Sequence, residues 1–346
     1  MVMDVTSSPP DTKIKSMMSS SSSSSIITMH HDIINTHILT RLDATSLTTA
    51  ASTCSNLRHL CTDKHLWQNI CTSTWPSLMD PTVCHVISTF PNLHRSIYSD
   101  AFPALHHFTF RSNLPSLPPP PELISAVDIL YKGKPVFSRV RRTETKKNWF
   151  LSSALWIEMV EPGELIQTPV KFVRKEEEFM RNLEDNLCLS WILIDPIRKR
   201  AANVSSRRPV LVRRHWLTRD VEILFAVTMA GEMQRSTETV QCLIKVTCGG
   251  KVGSELHVRE VNLVMEDREG GYVNGKEGVV ILQKAMEFGE RKKVDEVGEM
   301  KERFERFMSM IKERRERKHR RERARDAVSL IVVFIVFVLF CCIAGF

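Results

Sequence analysis

Nine cysteines, at positions 54, 61, 71, 84, 188, 242, 248, 341 and 342, form no CxxC pair and no repeating spacing. A zinc ribbon, a thioredoxin-type redox site and a disulfide scaffold therefore lack support. A GxxxxGK phosphate loop followed by Ser or Thr, a GxGxxG fingerprint, an HExxH helix and a GxSxG elbow are all absent, so nucleotide, zinc-protease and hydrolase chemistry have no foothold. The histidine pairs His30-His31 and His106-His107 place successive side chains apart, and neither makes a metal site alone. No cofactor, no metal ligand and no catalytic residue is expected, and the chain reads as a non-enzyme. Glycine and proline are also sparse, at 13 and 16 of 346 residues, which excludes a collagen-like or low-complexity chain.

What is present is enough to fold. Apolar residues make up 42% and charged residues 25%, and a chain of this length suits about two modules with appendages. The net charge of +8 is unevenly placed: between Lys312 and Asp326, nine Lys or Arg stand against four acids. A basic cluster there, directly before a long apolar run, reads as a membrane flank, and no nucleic-acid partner is expected.

That apolar run, residues 327–346, is free of charge, and 14 of its residues are Val, Ile, Leu or Phe. As a helix it would span a bilayer once. No N-terminal apolar stretch is long enough to be a signal sequence, so the expectation is a single-pass tail anchor with the N-terminal bulk in the cytosol, on the endoplasmic reticulum or another endomembrane. Membrane lipid is then an expected partner. Cys341 and Cys342 are either palmitoylation sites or apolar filling. Upstream, Val297, Met300, Phe304, Phe307 and Ile311 recur at helical spacing, which predicts an amphipathic helix that is either a stalk or packed on the preceding domain.

The domain reading is a Ser-rich disordered tail over 1–28, a helical module over 29–78, and a connector with a polyproline stretch over 79–121. A β-rich domain over 122–290, a basic stalk over 291–326 and the anchor over 327–346 complete it. The fold class is α+β: a three-helix module, a mostly antiparallel β domain, the stalk helix and a transmembrane helix. Val240, Cys242, Ile244, Val246 and Cys248 alternate with more polar residues, the period of a strand with one buried face. Gly249, Gly250 and Gly253 then predict a loop. The return strand starts with Leu256 and Val258 but shifts phase to Val261, Leu263 and Met265, which a β-bulge explains. Further strands are expected at 154–160, 187–194, 210–216 and 221–229, with a helix carrying Val279, Leu282 and Met286 after them.

In residues 32–71, Asp32 can cap a helix bearing Ile34, Ile38 and Leu42. Thr45 or Ser46 can cap a second with Leu47, and Thr62 or Asp63 can open a third with Leu66, Trp67 and Ile70. Three short helices bury little alone, so a module this small usually needs a partner. Asp32-Ile33-Ile34, the run from His37 to Leu42 and Leu66-Trp67 resemble an F-box, with Met29-His30 where the usual pattern has Leu-Pro. The runs 71–78, 87–103, 189–209, 213–216 and 246–270 are similar to a plant F-box protein family, some members of which carry a C-terminal hydrophobic tail. The resemblance implies a substrate-recognition subunit of a Skp-cullin-F-box ubiquitin ligase that docks on a Skp-type adaptor and, through it, a cullin-RING ligase, and recruits a target for ubiquitination; the expected anchor, by confining receptor and target to one membrane, points to a membrane-resident target. It places Ile33, Ile34, Ile38, Leu42, Leu47, Leu57 and Trp67 either at the adaptor or in the core between the helices.

Two basic stretches stand out downstream. Residues 132–147 hold seven Lys or Arg against Glu144, and eight lie between Asp195 and Asp220 with no acid. Arg207, Arg208, Arg213 and Arg214 either grip an acidic or phosphorylated target segment or belong to a solvated face. Glu176, Glu177 and Glu178 read as a solvated helix face. The competing functional reading is a membrane-anchored, lectin-like or head-group-binding module with a vestigial F-box, whose pocket Trp191 and Trp216 would line.

Overall fold

The computed structural model describes residues 31–107, 118–172, 176–231, 239–251, 253–291, 297–343 and 345. The Ser-rich stretch, Met29-His30 and part of the polyproline run lie outside these residues. The chain divides after Asp63 into two units.

The first unit opens irregularly, with α1 (His31–Ile33), a π-turn over Ile34–Ile38 and a 3-10 turn over Leu39–Arg41. β-Branched Ile33, Ile34, Thr36, Ile38 and Thr40 lose χ1 freedom in a helix. The hydroxyls of Thr36 and Thr40 also donate to the carbonyls of Asp32 (2.6 Å) and Thr36 (2.7 Å), a back-bonding that loosens a helix. α2 (Ala44–Thr53) is capped by Asp43, which accepts from the Ser46 N–H at 2.8 Å, so the cap lies upstream of the expected Thr45 or Ser46. The chain breaks at Cys54 and continues as α3 (Ser55–Cys61); the expected second helix is two.

The second unit begins with α4 (Lys64–Thr74), a 3-10 turn over Pro76–Met79, α5 (Pro81–Ile87), α6 (Leu93–Ala101) and β1 (Leu105–His107). Then come β2 (Glu122–Tyr131), β3 (Lys134–Glu144), α7 (Asn148–Ser152), β4 (Trp156–Glu158), β5 (Ile166–Lys171) and α8 (Glu176–Asn186). They are followed by β6 (Leu187–Asp195), β7 (Arg200–Asn203), β8 (Leu211–Arg214), β9 (Val221–Met229), β10 (Val240–Gly249) and β11 (Glu255–Asp267). α9 (Gly275–Phe288), β12 (Glu290–Arg291) and α10 (Val297–Ile343) close the chain. One antiparallel sheet has the order β3-β2-β6-β7; the other runs β4-β11-β10-β9-β8, with β5 also on β11, and β1 pairs β12.

Leu123, Val127, Ile129, Leu189, Trp191 and Leu193 of the four-stranded sheet share a core with Phe225, Ile244 and Leu263 of the larger one. Ile124, Ala126, Ile192 and Ile194, on the other face, pack with Trp75, Leu78, Val83, Ile87 and Ile97. A polar row registers this helical layer. Asp128 pairs across strands with Ser138 and Ser190. Its carboxylate accepts from the Ser77 N–H (2.9 Å), the Ser77 hydroxyl (2.6 Å) and the Ser138 hydroxyl (2.7 Å), while Trp75 Nε1 donates to Ser190 Oγ at 3.1 Å.

The hairpin of β10 and β11 carries the expected bulge: Thr247 faces Glu260 and Cys248 faces Val258, which leaves Arg259 without a cross-strand partner. The stripe on α10 is packed, with Met300, Phe304, Phe307 and Ile311 all buried and the helix lying on β9. Near the end of this contact Arg315 donates to the Gly270 carbonyl at 3.2 Å.

The expected transmembrane tail is overturned, and with it the single-pass anchor and the endomembrane location. Among the described residues no helix is long and apolar enough to cross a membrane. Residues 327–343 end a 47-residue helix whose earlier part is rich in charge. The side chains of Cys341 and Cys342 lie outside the described ones.

Candidate functional site

The π-turn decides which residues of the first unit reach its surface. A regular helix would bring Ile34, Ile38 and Leu42 to one face. Instead the Leu39 N–H bonds to the Ile34 carbonyl, and these two side chains, five residues apart, are each 2% exposed. Ile38 is turned outward and left half-buried, as are Leu42 and Leu57, and Ile33 is 44% exposed. Leu47 is fully buried on α2, beside the buried Ala44 and Ala51 of the same helix.

The exposed charges of the unit, Asp32, Arg41, Asp43 and Arg58, stand beside these aliphatics in sequence. Most exposed side chains of α2 are hydroxyls turned back onto their own helix, as in Thr49 to the Thr45 carbonyl (3.0 Å), Ser52 to Thr49 (2.7 Å) and Thr53 to Ala50 (2.8 Å). Self-satisfied hydroxyls cost little to cover, because they give up few bonds to water. A small unit presenting Ile33, Ile38, Leu42 and Leu57 among such groups is a surface suited to an apolar partner.

Trp67 belongs to the second unit and is 4% exposed. Its ring lies 5.6 Å from that of Tyr98 and 5.7 Å from the Arg95 guanidinium, so it is an anchor of the α4–α6 layer. Of the seven residues singled out in the sequence, Ile34, Leu47 and Trp67 are thus buried.

The four arginines singled out downstream have separate partners. Arg208 Nη1 donates to the carbonyls of Asp185 and Leu187, Arg213 Nε to Glu222 at 2.8 Å, and Arg214 Nη1 to Glu176 at 3.4 Å while its guanidinium lies 4.7 Å over Phe172. Arg207 alone of the four is exposed with an unengaged guanidinium among the described residues. Burial presses the Glu222 carboxyl upward, and the bonds from Lys245 and Arg213 outweigh it and hold the group below its ordinary value. The other basic stretch is answered by an acidic turn: Arg139 grips Glu164 through two 2.6 Å bonds, and Arg141 lies 3.2 Å from Glu161. Those bonds hold the Glu164 carboxyl near 2. Glu176, Glu177 and Glu178 do open a helix, α8, which buries Phe179 and Leu183.

Trp191 is fully buried and donates to Ser125 Oγ at 3.2 Å, whereas Trp216 is 80% exposed. The two do not line one pocket, as the lectin-like reading required. Among the described residues no group of three or more His, Cys, Asp or Glu could hold a metal.

The F-box-like family matches residues 34–73. F-box protein At2g27310 of Arabidopsis thaliana is 42% identical over 282 residues, covering 78% of this chain and 81% of that protein. F-box protein At3g44326 of the same plant is 46% identical over 263 residues, 74% of this chain and 72% of its own length. Probable F-box protein At2g36090, also of Arabidopsis thaliana, is 44% identical over 273 residues, 78% of each chain. No solved structure matches. Identity at this level extends far beyond residues 34–73 into the β-rich unit, and on that ground the chain belongs to the F-box protein family.

Proposed function

We propose that this protein is a substrate-recognition subunit of a Skp-cullin-F-box ubiquitin ligase. Its first unit docks on a Skp-type adaptor, and its β-rich unit presents a target protein for ubiquitination. The observation that carries the reading is an F-box-like match over 34–73, with the aliphatic Ile33 exposed and Ile38, Leu42 and Leu57 half-buried in the first unit. Ile33, Ile38, Leu42 and Leu57 are the contacts assigned to the adaptor, and the chain recruits rather than catalyses. Arg207 is the one residue of the four arginines left open to an acidic target group.

The test is co-purification of a Skp-type adaptor with the full chain. Ile33→Glu with Leu57→Glu places two carboxylates on the docking surface without emptying a buried site, and adaptor recovery is expected to fall by at least about tenfold. Undiminished recovery, with the β-rich unit still folded by circular dichroism, would reject the docking assignment. Trp67 is unsuited to this test, since truncating a buried tryptophan costs about 3–5 kcal/mol of folding by itself.

A further inference from the structure

Along α10 the buried residues Met300, Phe304, Phe307 and Ile311 follow steps of four, three and four. The same alternation continues without a break through Arg314, Lys318, Arg321 and Arg325. At 100° per residue these four cations fall within an arc of about 60°, along about 17 Å of helix. They therefore continue the seam that packs on the sheet, beyond the point where the sheet covers it. A position of this kind normally carries an apolar side chain.

The cations face a concavity. Arg314, Lys318, Arg321 and Arg325 line one wall of a groove of about 1160 Å³, and Asp267, Glu269, Gly270 and Gly271 of the turn after β11 form the other. Gly270 has φ +76°, a left-handed conformation that favours glycine, and its carbonyl accepts from Arg315. Asp267 accepts the N–H groups of Glu269 and Gly271, both at 2.8 Å, which engages its charge inside the turn. Neighbouring cations of the helix are neutralised along it: Arg317 pairs with Glu313 at 2.9 Å and Arg320 with Glu316 at 3.4 Å. Arg314, Lys318, Arg321 and Arg325 are exposed and make no ion pair or hydrogen bond among the described residues. Like charges in a row repel one another, and the six cations of the lining, Arg314, Arg315, Arg317, Lys318, Arg321 and Arg325, outnumber Asp267 and Glu269 on the other wall, so the groove is net positive toward an entering anion.

We infer that this groove binds an acidic segment of a partner protein. Carboxylates recurring along a peptide match the stripe, accepting paired N–H bonds from the guanidinium groups of Arg314, Arg321 and Arg325. The stripe carries no aromatic side chain on which unpaired bases could stack. The groove lies wholly in the second unit, so this binding goes beyond adaptor docking and does not depend on it.

The experiment uses the full chain and a labelled peptide of alternating Glu and Ser, titrated by fluorescence anisotropy at low and high salt. The wild type is expected to bind the peptide, more weakly as salt rises. Arg314→Glu/Lys318→Glu/Arg321→Glu should weaken binding at least about tenfold. Lys312→Glu/Arg320→Glu/Arg323→Glu, an equal charge change on the opposite side of the helix, should alter it less than about twofold. No binding by the wild type, or equal losses in the two triple variants, overturns the inference. So does tighter binding of single-stranded DNA, duplex DNA or anionic phosphatidylserine vesicles through the same three residues, which would assign the stripe to phosphate. Adaptor co-purification should be intact in both variants, so failure here and failure of the docking assignment are separate results.

Discussion

Asp128 shows how much one residue decides in this fold. It is fully buried and receives three hydrogen bonds, two of them from Ser77, so it fixes the 3-10 turn to the middle of the four-stranded sheet. Removing the carboxylate orphans the buried backbone N–H and hydroxyl of Ser77. Asp128→Ala is expected to lower unfolding free energy by about 3 kcal/mol, measured by urea denaturation. Burial raises its pKa against the lowering by Ser77 and Ser138, and the sign of the pH dependence follows. The folded state holds the proton more tightly than the unfolded chain, so this contribution is fully present below the ordinary value of 3.8. It declines as pH rises from there through the raised folded value. Asp128→Asn should remove that decline, and an unchanged pH profile would show that Asp128 does not cause it. None of this was legible in the sequence, because an aspartate within an apolar strand gives no sign of which distant serine it will meet.

Alternation in the sequence was legible: in β10 apolar residues alternate with more polar ones, although Gln241 and Thr247 on the second face are buried too, and the phase change in its partner pointed to the bulge that leaves Arg259 without a cross-strand partner. β2 was not singled out although β6, likewise buried on both faces, was: Ser125 and Asp128 interrupt the apolar run of β2, so it shows neither a period of two nor an unbroken apolar stretch. The opening of the first unit misled for a different reason: spacing assumes 3.6 residues per turn, and the π-turn inserts one more. Its register makes an element-scale prediction. Leu39→Ala should cut the free energy of opening of residues 31–61, read by amide hydrogen exchange, by about 3 kcal/mol, and Ile38→Ala by about 1 kcal/mol or less. The reverse order would mean that the segment is a regular helix with Ile38 inside. Adaptor recovery should follow the opposite ranking, since Ile38 is the accessible one.

At the scale of the whole chain, α10 has two parts with different work. Up to Ile311 its seam is buried, and beyond Arg315 its cations and the apolar residues from Val328 to Phe340 are exposed. Composition alone joined the basic cluster to the apolar run after it. The structure joins the cluster to the seam before it, because helix phase, which composition ignores, carries the same face onward. If the first part is structural, truncations should separate the two. A chain ending at Asp326 keeps all four buried residues and the cationic stripe, and should unfold at the same urea midpoint as the full chain and bind the acidic peptide equally. A chain ending at Ile311 should keep its unfolding free energy to within about 1 kcal/mol but lose the peptide. Ending at Arg291 uncovers the larger sheet where the helix lies on β9 and exposes Met300's, Phe304's, Phe307's and Ile311's former contacts. At about 1.5–3 kcal/mol for each large apolar side chain, that loss approaches the stability of an ordinary domain. Such a chain should be aggregated or unfolded. Were it to stay folded at the original midpoint, the buried seam would contribute nothing, and the register that places Arg314, Lys318, Arg321 and Arg325 in the groove would lose its foundation.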